Sequence, residues 1–74
     1  MADGFIHTVP KDGGWVNELE GDSELEGWHA NKDVAVAAGR AAAQARKTEH
    51  VIHNQDGTIG ERNSYGDDPP DRAG

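Results

Sequence analysis

Four histidines, His7, His29, His50 and His53, are the side chains of this sequence best equipped for chemistry. Neutral imidazole ligates transition metals, and it exchanges protons near neutral pH. If their strands are neighbours, His7 and His53 meet, and Asp56 or Glu61 would complete a metal site. None of the four has the His-Glu-x-x-His spacing of a known metal motif. The expected reading is therefore strand histidines that are exposed or satisfied by neighbours, with no metal and no cofactor. Nucleophilic catalysis fares no better. Cysteine is absent, and Ser23 and Ser64 sit in turn-like contexts without a motif around them. Carboxylates are plentiful, but so short a chain has little room for a dry pocket. Asp56-Gly57 and Gly66-Asp67-Asp68 lack the twelve-residue spacing of an EF-hand loop and read as turns. No catalytic residue is assigned, and no enzyme is expected.

The elements that must position these residues follow from periodicity and turn chemistry. "GFIHTVP" is a short β-rich run, and "KDGG" after it is a turn. "GWVNELE" is a second strand, with Trp15, Asn17 and Leu19 on one face and Val16, Glu18 and Glu20 on the other. Residues 24–29 form a weaker third strand candidate, interrupted by Gly27. Asn31 reads as an N-cap to a helix ending near Thr48, with seven alanines between 35 and 45. Ala35, Ala38, Ala42 and Ala45, flanked by Val34 and Gly39, would form its buried face against a sheet that supplies the bulk.

"EHVIHNQDGTIGER" reads as a hairpin with a type I turn and a glycine bulge at Gly57. In that register Asn54 faces Thr58 and His53 faces Ile59. Val51, His53 and Ile59 then share one face, with His50 and Ile52 on the other. A two-residue Asp56-Gly57 turn is the other register. The expected fold is α+β: an antiparallel sheet of four to five strands, one helix on one face, in the order β-β-(β)-α-β-β. Residues 4–66 make a single small domain, with 1–3 and 67–74 as flexible termini.

Composition narrows the function. Fourteen large apolar or aromatic residues supply the core, including Phe5, Trp15, Trp28, Ile59 and Tyr65, so self-association that buries more apolar surface is a reasonable expectation. The net charge of −7 argues against phosphate binding as the main business. Neither a signal peptide nor a membrane-spanning run is present in the sequence, and a soluble cytoplasmic protein is expected.

Three stretches, "HTVPKDGGW", "NKDVAVAAGRAAAQA" and "VIHNQDGTIGERNSYGDDP", come in the order and spacing of a known family. Over roughly residues 4 to 69 the chain resembles the DUF2188 family, small bacterial proteins, frequent in actinobacteria, with no established function. The resemblance implies the fold and brings no catalytic residues. The chain departs from the family pattern in four places. Asn31 replaces a threonine cap and Val34 a glutamate, Asn17 stands where an apolar residue is usual, and Thr58 where a basic one is common.

The leading expectation is a non-enzymatic binding or assembly module acting through its open sheet face, as a homodimer or with another protein. Glu61, Arg62, Asn63 and Tyr65 are the candidate partner-binding residues, because turn chemistry leaves "GERNSY" unexplained. The second reading is a nucleic-acid-binding domain using the sheet or the C-terminal hairpin, with Arg40, Lys47 and Arg62 as contacts. The acids at 18, 20, 22, 24 and 26 weigh against it.

Overall fold

The computed structural model describes residues 4–20, 25 and 27–66. The expected flexible termini, 1–3 and 67–74, and residues 24 and 26 of the third strand candidate lie outside the described residues. Strands β1 (Ile6–Lys11) and β2 (Gly14–Leu19) form an antiparallel hairpin in which Lys11 faces Gly14. Asp12 and Gly13 join them with φ of 52° and 78°. Two consecutive left-handed residues make a turn whose twist matches that of the strands it connects, and Asp-Gly tolerates it well.

Among the described residues, the expected third strand shows one antiparallel bridge. Trp15 and His29 exchange backbone hydrogen bonds, N–H to O, of 2.8 Å in each direction. Leu25 adds one, its N–H donating to Asn17 O at 2.8 Å. This contact occupies the outer edge of β2 and sets the rest of the topology. The connection runs antiparallel to β2, and helix α1 (Lys32–Arg46) brings the chain back. Strand β3 (Glu49–His53) therefore leaves in the direction of β1 and pairs with its free side in parallel, Ile6 to His50 and Thr8 to Ile52. Strand β4 (Ile59–Ser64) returns antiparallel to β3. The sheet is thus mixed, not purely antiparallel as expected, with four strands in the order β2-β1-β3-β4.

The β3–β4 turn forms with the bulge. His53 pairs with Ile59, the register shifts after Ile52, and Gly57 takes φ 93°. Asn54 N–H donates to Thr58 O at 2.6 Å. Asp56 accepts from the Thr58 N–H and then from its hydroxyl, and these bonds hold its carboxyl below the usual range.

The helix begins where expected, without the expected side-chain cap. Asn31 is the N-cap residue, in extended backbone, but its side chain makes no capping hydrogen bond. Lys47, left-handed at φ 56°, ends the helix, and Thr48 N–H donates back to Ala43 O at 3.0 Å. The buried helix positions are Ala35, Gly39 and Ala43, one residue per turn, with Ala38 and Ala42 half-buried beside them. Val34 and Ala45, expected on this face, are exposed. The stripe is turned toward Gly39 because that is where the sheet comes closest. A methyl group there would lie 2.5 Å from Asn17 Oδ1, 2.6 Å from His50 Nε2 and 2.8 Å from Thr8 Oγ1.

Besides Val34, two further expected core residues are not in the core. Trp28 is 50% and Ile59 57% exposed. Trp28 lies on Gly14, where no Cβ would fit beneath its ring, and its indole N–H donates to Lys11 O at 2.7 Å. It seals the end of the first hairpin. Ile59 shares the sheet face opposite the helix with His53.

Within the helix, Gly39 is sensitive to added volume. Alanine in place of glycine favours a helix by about 1 kcal/mol. Overpacking costs roughly 1–3 kcal/mol, and the atoms met here are polar ones already committed to each other. Gly39→Ala should therefore lower the melting temperature. An unchanged or raised value would show that the helix sits elsewhere.

Candidate functional site

On the helix side of the sheet, three polar side chains stand where a small core would ordinarily be apolar. Thr8, Asn17 and His50 are each 0% exposed. They come from three adjacent strands, β1, β2 and β3, and point at Gly39. Their hydrogen bonds have one consistent direction. Asn17 Nδ2 donates to Ala35 O at 2.9 Å, which fixes the amide orientation. Asn17 Oδ1 can only accept, so Thr8 Oγ1 donates to it, at 2.5 Å. The Thr8 proton is then spent, and His50 Nε2–H must donate to Thr8 Oγ1 across 2.7 Å. His50 thereby carries a proton on Nε2. Its Nδ1 is buried without a hydrogen-bond partner among the described residues. Burial lowers the His50 pKa, Arg40 and His7 lower it further, and Glu61 pulls it back only in part.

The opposite face of the sheet carries no helix among the described residues. Alternation puts Phe5, His7, Val9, Val16, Val51, His53 and Ile59 on it. His7 Nδ1 and His53 Nε2 lie 2.9 Å apart, within hydrogen-bond distance, so the expected meeting of these two residues occurs. Neither expected third ligand joins them. Asp56 is bound to Thr58, and Glu61 points to the helix side with Ile52. Glu20 instead approaches His7 from behind, with Oε2 3.7 Å from Nε2. Arg62 also lies on the open face, its guanidinium over the Phe5 ring at 5.6 Å and its Nε donating to Glu49 Oε1 at 2.8 Å.

The candidate partner-binding set is divided by the same alternation. Arg62 pairs with Val51 on the open face, whereas Glu61 and Asn63 pair with Ile52 and His50 on the helix side. Asn63 Nδ2 donates to Glu61 Oε2 at 3.1 Å. Tyr65, half-buried just beyond β4, continues the pairing through its N–H to Thr48 O, 3.2 Å. These four residues are not one patch. The helix does not reach over β4, and the space left between them is an open groove of about 530 Å³. Its lining, which includes Lys32, Asp33, Arg40 and Glu61, mixes both signs of charge.

Sequence reasoning missed the buried trio. Two signals pointed to it: an asparagine on the face shared by Trp15 and Leu19, and a glycine in the middle of an alanine helix. A mid-helix glycine usually has a packing reason.

Residues 6–65 match the family model described as an uncharacterized protein conserved in bacteria, DUF2188. No curated protein and no solved structure matches the chain.

The buried histidine makes a pH prediction. Its folded pKa lies below the ordinary value of 6.5. Between the two, the unfolded chain binds the proton and the folded chain does not. The contribution of His50 to stability is therefore fully present above the ordinary value and lost as pH falls through the depressed one. Denaturant unfolding at descending pH should show this loss, and His50→Gln should remove that part of the slope. An identical slope in the variant would mean that His50 titrates normally.

Proposed function

We propose, on the premise that this chain belongs to the DUF2188 family, that it is a non-enzymatic binding and assembly module that works through its open sheet face as a homodimer. One observation carries the reading: a sheet face with apolar side chains and no element over it among the described residues. Ile59 is 57% exposed at one end of that face, and Phe5 and Val9 are half-buried along it. Val16 and Val51, at 1% and 2% exposure, are already covered by their neighbours, so the exposed apolar surface lies at Ile59, Phe5 and Val9. A chain this short gains most from covering such a surface, since its own core is small.

A second copy suits the face better than a strongly charged partner. Arg62 and Glu49 are already paired on it, so both signs are present side by side. A two-fold interface sets a patch against itself, which such pairing permits. A nucleic-acid interface gains no support. Arg62 is held by Glu49 and Phe5, and Glu18 and Glu20 share its face. Among the described residues no helix is long and apolar enough to cross a membrane.

Sedimentation velocity across the micromolar range should give twice the chain mass of 7.9 kDa. Ile59→Glu should return the monomer while leaving the melting curve of the monomer unchanged. A strict monomer in the parent protein would remove the basis of the proposal.

A further inference from the structure

We infer that β4 is an assembly edge: it takes β4 of a second copy of this chain in an antiparallel two-fold pair, joining two sheets side by side. β4 is the last strand of the sheet, and among the described residues nothing pairs with its outer side. The opposite edge differs, since Trp15 and Asn17 of β2 spend outward backbone groups on His29 and Leu25. On β4 the direction of each backbone group follows from Tyr65, whose N–H donates to Thr48 O just ahead of β3. Alternation then turns Glu61 and Asn63 inward to β3, and Arg62 and Ser64 outward. Unpaired outward groups on a strand edge are a template for another strand. Proline and lysine, which commonly block such pairing, are absent from β4, and its bulge falls at Gly60, ahead of these residues.

The outward residues also select the register. Pairing Arg62 with Arg62 of the second copy would set like charges directly opposite each other. Pairing Ser64 with itself would leave Arg62 beyond the end of the second strand. Setting Arg62 against Ser64 avoids both, and each such pair exchanges both of its backbone hydrogen bonds. In that register the side chains are complementary. Glu49 lies next to Ser64 within one chain, so Arg62, opposite the small serine of the second copy, also meets that copy's Glu49. Arg62 gives its Nε to its own Glu49, and the other guanidinium N–H groups can bridge across. On the helix side Glu61 stands beside Tyr65 of the second copy, a carboxylate next to a phenol O–H. Glu61, Arg62, Asn63 and Tyr65, divided between two faces by their side chains, are thus neighbours along one edge. The contact lies in the plane of the sheet and leaves the open face free, so it is additional to the face-to-face dimer and does not depend on it. One strand edge buries less than the roughly 1,000 Å² of a stable specific interface, so it pairs above the micromolar range.

Amide hydrogen exchange in the full chain, read residue by residue by NMR from dilute to concentrated solution, tests the edge. The Arg62 and Ser64 amides should exchange freely when dilute and slow severalfold when concentrated. Those of Glu61 and Asn63, bonded to β3, should not change. Ser64→Pro removes an outward donor and no bond to β3, and should abolish the slowing at Arg62. A second measurement does not depend on that variant folding. The chain has no cysteine. The register puts residue 63 of the two copies in a non-hydrogen-bonded pair with Cα atoms about 4.5 Å apart, within disulfide reach. Mild oxidation should link Asn63→Cys into a covalent dimer and leave Ser64→Cys unlinked. The face-to-face dimer predicts neither result, because Asn63 lies on the helix side. A strict monomer at micromolar concentration would therefore remove that reading and not this one. Arg62 and Ser64 amides that exchange alike at every concentration overturn the inference, as do cysteine variants that link equally or not at all.

Discussion

The arrangement on which this fold depends is the seating of Gly39 on three buried polar side chains. A helix rich in alanine offers little apolar bulk, so its grip on the sheet has to come from close approach. Close approach at Gly39 brings the helix onto Thr8, Asn17 and His50, and Ala35 O receives the end of their hydrogen-bond chain. A buried donor or acceptor left unpaired costs about 1–3 kcal/mol. Three such residues in a small core are tolerable when their bonds run in one direction, which here leaves His50 Nδ1 as the one atom of the trio without a partner among the described residues. The consequence is specificity. Sliding the helix by one residue would put a methyl group where only glycine fits.

The parallel pair at the centre of the sheet follows from an edge contact. Because the Trp15–His29 bridge takes the outer side of β2, β3 must dock on the other side of β1. That placement puts His50 beside Ile6 beneath the helix and brings His53 to His7 on the opposite face. Two histidines on the same strand thus have opposite fates. His50 is sealed in and kept neutral, whereas His53 faces outward and shares a hydrogen bond with a second imidazole.

Much of this was legible in the residues. Asp12-Gly13 and Asn54-Gln55-Asp56-Gly57 declare their turns by chemistry that few other sequences satisfy, and the bulged register at His53–Ile59 followed from the second. The alternation of β2 also held, with Asn17 on the same face as Trp15. Long-range pairing was not legible. A short apolar strand carries no mark of which neighbour it will choose, and the parallel β1–β3 contact depends on a connection whose pattern is weak. The helix face was misread for a related reason. Counting alanines gives a stripe, but the stripe that is buried is set by what the sheet presents, and the sheet presents polar groups under Gly39. Trp28 and Ile59 read as core by hydropathy. One seals a hairpin, and the other lies at the margin of the open face.

The seating of the helix depends on the direction of the buried hydrogen-bond chain, and the tautomer of His50 reports it. Nitrogen-15 shifts of the His50 ring, measured in the full chain at neutral pH, distinguish a protonated Nε2 from a protonated Nδ1. The structure predicts a proton on Nε2 in slow exchange with solvent and a bare Nδ1. A proton on Nδ1, or an Nε2 proton exchanging freely with water, would contradict the order of donors from His50 through Thr8 and Asn17 to Ala35 O, and with it the seating of the helix.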